Sequence, residues 1–192
     1  MEDYKKRYPG TLFLVVGNSG SGKDSIISGA MERVNQNEKI LYSPKRYITR
    51  PPSETEDNIP IRPEEFEKLD AQGKFSLKWH IYGLHYGVPE KIDEFLKEGK
   101  SVVVNVSRTI IPKAREIYEN LKVIFIKVPF EITLQRIKER GRESGPELQK
   151  RIERAKTHQS FPEADFTVDN SGELQDAIDQ FLNFFYSTIR KN

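Results

Sequence analysis

The chain has no cysteine. Disulfides, zinc–thiolate centres and thiol nucleophiles are therefore excluded. It has almost no net charge: 31 Lys and Arg stand against 29 Asp and Glu, a formal balance of +2. The totals carry no electrostatic footprint of a nucleic-acid binder, and no nucleic-acid partner is expected. Long apolar runs are also missing. They reach about five residues, against the roughly twenty needed to span a bilayer, so no membrane association is expected. The opening Met1-Glu2-Asp3-Tyr4-Lys5-Lys6-Arg7 has no apolar core of the signal-peptide kind, and a cytoplasmic protein is the expectation. What is present is 192 residues, 36% apolar and 31% charged. That suffices for one core and is too apolar for a disordered chain.

Short apolar runs alternate with helical patterns. Thr11 to Val16, Val102 to Val104 and Val123 to Ile126 are β-branched or apolar throughout, as strands covered on both faces are. Ile26, Ile27, Ala30 and Val34 follow the first run at helical spacing. Pro89, before Ile92, Phe95 and Leu96, suits a first helical turn, as does Pro129 before Ile132, Leu134 and Ile137. Leu174, Ala177, Ile178, Phe181, Leu182 and Phe185 form a 3.6-period stripe. The alternation predicts a parallel α/β sheet. Two stretches break it. Residues 44–88 mix prolines, charges and aromatics, and residues 136–156 hold eight Lys or Arg against four Glu.

Gly17-Asn18-Ser19-Gly20-Ser21-Gly22-Lys23 lies between the first predicted strand and the first predicted helix. Glycines let successive N–H groups turn inward around phosphate oxygens, and the helix N-terminus adds favourable partial charge. A lysine at this place reaches the terminal phosphates of a nucleotide. The loop departs from the usual pattern at its end, where Asp24 replaces Ser or Thr and the hydroxyl moves to Ser25. Asp24 and Ser25 are candidate Mg²⁺ ligands. A solvated acid at a helix N-terminus accounts for Asp24 equally well. The strand that often supplies a metal-binding aspartate ends here in neutral Asn105.

Five segments extend the pattern: the loop through Lys23-Asp24-Ser25, Arg46-Tyr47-Ile48-Thr49-Arg50, Gly83-Leu84-His85-Tyr86-Gly87-Val88, Val102-Val103-Val104-Asn105-Val106-Ser107-Arg108, and Arg140-Gly141-Arg142-Glu143. Together they resemble the ribose 1,5-bisphosphate phosphokinases of the PhnN type, relatives of guanylate kinase, over about residues 11–185. The resemblance implies a P-loop NTPase fold, a three-layer α/β sandwich around a central parallel sheet with lid and acceptor-binding insertions. It implies a single domain over 1–192, with its core at about 11–43 and 89–185, an acceptor region at about 44–88 and a lid at about 140–147. It implies transfer from ATP, with Mg²⁺, to the 1-phosphate of ribose 1,5-bisphosphate, giving 5-phosphoribosyl 1-diphosphate and ADP, and a role beside phosphonate breakdown. The nearest alternative is a guanylate kinase or another small-molecule or nucleoside monophosphate kinase.

Set against guanylate kinase, Arg50 matches the first arginine of its phosphate clamp, Ser53 stands at the second, and Tyr86-Gly87 matches its acceptor-touching pair. Its guanine-reading acids fall near Leu77 and Asn105. A leucine accepts no hydrogen bond from a base, and such losses discriminate strongly. The expected acceptor ligands are Arg46, Arg50, Tyr86, Asn105, Arg108 and Arg151, with the fork of guanidinium suited to phosphate. Asn105, His80 and His85 are candidates for sugar hydroxyls, with packed or solvated histidines the better reading of the last two. Lys23, Arg140 and Arg142 are expected to neutralise the moving phosphoryl group, and Asn170 to border the adenine.

Overall fold

The computed structural model describes residues 5–34, 40–51, 57–141 and 145–190. Five strands form one parallel sheet in the order β2-β7-β1-β8-β9. Strand β1 (Leu12–Gly17) lies centrally between β7 (Ser101–Asn105) and β8 (Leu121–Lys127), with β2 (Leu41–Tyr42) and β9 (Phe166–Asp169) at the edges. Side chains alternate between the faces of a strand. Leu12, Leu14 and Val16 therefore enter one core, and Phe13 and Val15 the other. Helices α3 (Ile92–Lys97) and α4 (Ile111–Ile117) cover the first face with Ile92, Leu96, Ile111 and Ala114. Helices α1 (Lys23–Val34) and α7 (Leu174–Ile189) cover the second with Ile26, Ala30, Phe181 and Phe185. The expected three-layer α/β sandwich is this arrangement, and its double covering is why the strands carry no polar alternation.

Residues 47–89 build a second sheet, in the order β4-β3-β6-β5. It comprises β3 (Tyr47–Ile48), β4 (Ile59–Pro60), β5 (Phe75–Ile81) and β6 (Leu84–Pro89), with α2 (Pro63–Ala71) between β4 and β5. Leu77, Trp79 and Val88 of this sheet join the first core. β5 also rests on the 3-10 turn Arg108–Ile110, just beyond the end of β7. The small sheet is thereby seated beside the carboxyl ends of the large one. Pro89 differs from expectation: it closes β6, and α3 begins only at Ile92. At the strand end, beside the register shift between Phe75 and Leu77, a missing N–H is tolerated. Pro129 does cap the next helix, α5 (Phe130–Arg140), which packs on α6 (Gly145–Thr157). No helix among the described residues is long and apolar enough to cross a membrane.

Candidate active site

In parallel sheets ligands bind beyond the carboxyl ends of the strands. Here β1 runs out at Gly17, β7 at Asn105 and β9 at Asp169, so the glycine loop, Asn105 and Asn170 meet at one edge. Gly20 and Gly22 take φ values of 77° and 85°, a region closed to most side chains. A Cβ at Gly22 would also strike the Asn170 amide. That amide is buried and donates from Nδ2 to Ser21 O at 2.8 Å, while the Asn170 main chain donates to Lys127 O at 2.9 Å. Asn170 thus braces the loop from the end of β9, a role its sequence position did not suggest.

Lys23 Nζ folds back over the loop and donates to Gly17 O at 2.9 Å and Asn18 O at 2.8 Å. Behind it, Asn105 Nδ2 donates to Asp24 Oδ1 at 2.8 Å, and Asn105 O accepts from Arg46 Nη1 at 2.8 Å. The two residues that depart from the usual metal-site pattern are in contact, and Asn105 links Asp24 to Arg46.

Two clefts open on either side of Lys23. The cleft over the glycine loop is lined by Ser19, Gly20, Gly22, Lys23, Asp24, Ser25, Asn105, Arg136, Asn170 and Leu174. Leu174 is 43% exposed, an apolar surface at the mouth. Arg136 reaches over the loop toward Gly20 O. The other cleft contains Lys23, Arg46, Trp79, Tyr82, Tyr86, Asn105, Ser107, Arg108, Arg151 and Arg154. Five of these are cations, and no Asp or Glu appears among the described residues lining it. Arg108 is clamped between the rings of Phe125 and Phe161, 5.1 and 5.7 Å from their centroids, and donates to His158 O at 3.0 Å. Burial, with the charge of Arg154 second, lowers its pKa to about 10, which still leaves it charged at neutral pH. Arg151 donates to Ser19 Oγ at 2.9 Å, and Asn18 Nδ2 donates to Ala155 O and His158 O. Helix α6 is therefore tied both to the glycine loop and to the wall bearing Arg108.

Arg46, Tyr86, Asn105, Arg108 and Arg151 line this one cleft. Arg50 lies in a neighbouring hollow with Tyr82, Leu84, Lys150 and Arg151. His80 and His85 pair across the hairpin with ring centroids 4.6 Å apart, and His85 packs on Phe66. Leu77 is buried in the core, and the wall beside it is Trp79, stacked on Tyr86 with centroids 5.2 Å apart and planes 4° from parallel. Arg142 and Ser53 lie outside the described residues, as does the side chain of Arg140. Sequence reasoning missed Trp79, Tyr82, Arg136 and Arg154. Arg154 was within reach of it, because a residue three on from Arg151 shares its helix face.

The guanylate kinase family model matches residues 10–188. The ribose 1,5-bisphosphate phosphokinase PhnN of Rhodopseudomonas palustris is 38% identical over 165 residues, covering 86% of this chain and 82% of that protein. The protein of the same name from Psychromonas ingrahamii is 35% identical, covering 93% and 92%. Among solved structures, guanylate kinase from Anaplasma phagocytophilum superposes with a TM-score of 0.70 at 18% identity, over 94% of this chain and 87% of that one. With the loop, the parallel sheet and the paired clefts in place, the chain belongs to the guanylate kinase family of P-loop phosphotransferases, in its ribose 1,5-bisphosphate phosphokinase branch.

Proposed function

We propose that the protein transfers the γ-phosphoryl group of ATP to the 1-phosphate of ribose 1,5-bisphosphate, giving ADP and 5-phosphoribosyl 1-diphosphate. The observation that carries this reading is the acceptor cleft itself. Five cations and no described carboxylate suit an acceptor bearing two phosphates, and they offer no acid to read a nucleobase edge. Leu77, where guanylate kinase reads guanine, is buried out of reach. The relatives with the highest identity quoted above carry the ribose bisphosphate name.

The acceptor phosphate oxygen is already nucleophilic at neutral pH, so no general base is required. It forms a bond to the γ-phosphorus as the bond from that phosphorus to the β,γ-bridging oxygen breaks, and ADP carries away the electron pair. Catalysis is positioning and charge stabilisation. Lys23 leaves the loop carbonyls for the β- and γ-phosphates. Arg46, Arg108 and Tyr86 hold the acceptor. Arg151, with Arg140 and Arg142 of the lid, closes over the transferring group, and Arg136 and Leu174 border the nucleotide. For Mg²⁺ the residues fit: Asp24 and Ser25 offer hard oxygen donors on the cleft over the glycine loop, and the remaining ligands would be water and phosphate, as this ion prefers. When bound, Mg²⁺ supplies charge neutralisation at the β- and γ-phosphates.

The test is an acceptor panel with ATP and Mg²⁺: ribose 1,5-bisphosphate, GMP, AMP and gluconate, scored by kcat/KM. Ribose 1,5-bisphosphate should lead by orders of magnitude. A higher kcat/KM for GMP overturns the substrate and leaves the phosphotransferase.

A further inference from the structure

Tyr82 sits at the tip of the β5–β6 hairpin, where Ile81 pairs with Leu84 and only Tyr82 and Gly83 make the turn. Both have positive φ, 54° and 73°. Such a turn favours Asn-Gly, and a bulky aromatic at its first position is an outlier that costs stability. The side chain gains no core packing in return: it is 44% exposed and belongs to neither core. Its ring lies instead under two guanidinium groups of α6, with Arg151 Cζ 5.2 Å and Arg154 Cζ 5.6 Å from its centroid. Backbone strain kept at a site outside the core points to function.

We propose that Tyr82 is a positioning residue for phosphoryl transfer, whose ring face holds Arg151 and Arg154 toward the acceptor cleft before the phosphates arrive. The proposal rests on the reading that the cleft these two arginines line takes the acceptor and the phosphoryl group moving to it. Like charges crowded at an empty cleft repel one another and turn outward to water. A carboxylate would hold them but would also repel the incoming dianion and would have to be displaced. An aromatic face attracts cations through its quadrupole and carries no net charge, so it gathers the guanidinium groups and yields them to phosphate. The hairpin tip also joins the acceptor sheet to α6, so the contact aligns the two elements that flank the acceptor.

The decisive pair is Tyr82→Asn, which removes the ring and eases the turn, and Tyr82→Phe, which keeps the ring. Tyr82→Asn should melt at the same temperature as wild type or higher, with kcat/KM for the acceptor lowered about tenfold and KM for ATP unchanged. Tyr82→Phe should stay within about twofold of wild type. A second readout needs no turnover. With the nucleotide site filled by a non-hydrolysable ATP analogue, pyrophosphate should raise the melting temperature of wild type and Tyr82→Phe more than that of Tyr82→Asn. Wild-type acceptor kinetics and an equal pyrophosphate shift in Tyr82→Asn overturn the proposal, as does a Tyr82→Phe protein as impaired as Tyr82→Asn. If wild type leaves ribose 1,5-bisphosphate untouched, the substrate assignment fails, while the pyrophosphate shift still decides on Tyr82.

Discussion

In the proposed mechanism, Asp24 is the residue on which metal dependence turns most directly. Its Oδ1 is engaged by the Asn105 amide, which orients the carboxylate and leaves Oδ2 for a cation. An uncompensated carboxylate beside a triphosphate is repulsive. Asp24→Asn can keep the bond to Asn105 by turning its own amide, so the substitution removes charge and little else. It should bind metal-free ATP at least as tightly as wild type, yet need more Mg²⁺ for turnover. Titrating ATP affinity with and without Mg²⁺ checks this. Identical Mg²⁺ dependence in both proteins would reduce Asp24 to a helix-terminal acid. Arg108 poses the opposite problem. Its pKa is lowered to about 10 by burial, from an ordinary value above 12. The folded protein thus binds that proton less tightly than the unfolded chain does, and below pH 10 its charge opposes folding. Methionine is unbranched and polarisable, favours aromatic contacts, and has no charge to desolvate. Arg108→Met should melt at or above the wild-type temperature while its acceptor KM rises at least tenfold; lower stability with unchanged KM would make the arginine structural.

At the scale of elements, what was legible follows from locality. The glycine loop is read from seven consecutive residues, because turn geometry and phosphate binding are local. Helix α7 is read from its stripe, since Phe181 and Phe185 repeat at the helical period and are buried together. The second sheet was not legible. β3 and β4 are two residues each, too short for a pattern, and Thr49 extends the pairing by accepting from His85 N through Oγ1 across 36 residues of chain. The bond between Asp24 and Asn105 spans 81 residues, so the sequence offered two oddities and no sign that they touch. Asn18 belongs to the same class. It read as one residue of the loop, yet its amide holds the carboxyl end of α6. Asn18→Ala should release that end at a cost of about 1–2 kcal/mol. Amide exchange should quicken around residues 155–158, and kcat/KM should fall with both substrates; unchanged exchange there would show that α6 is held elsewhere.

Across the whole molecule, near-neutral composition conceals a strongly sorted charge. Five of the 31 basic residues, Lys23, Arg46, Arg108, Arg151 and Arg154, share one cleft at the carboxyl edge of the parallel sheet with no acid among its described lining. No summed charge foretells this, because acids elsewhere on the surface balance it. Trp79 is the one tryptophan in the chain and stands in the wall of that cleft, stacked on Tyr86 and 8% exposed. The molecule therefore carries a built-in optical gauge. With no second indole to dilute it, the emission of the native protein should change in intensity or wavelength as acceptor fills the cleft, and respond far less to an ATP analogue on the other side of Lys23. Titration by fluorescence alone would then give acceptor affinity without turnover, label or coupled enzyme. An emission spectrum indifferent to saturating acceptor would mean that the phosphates bind away from this wall.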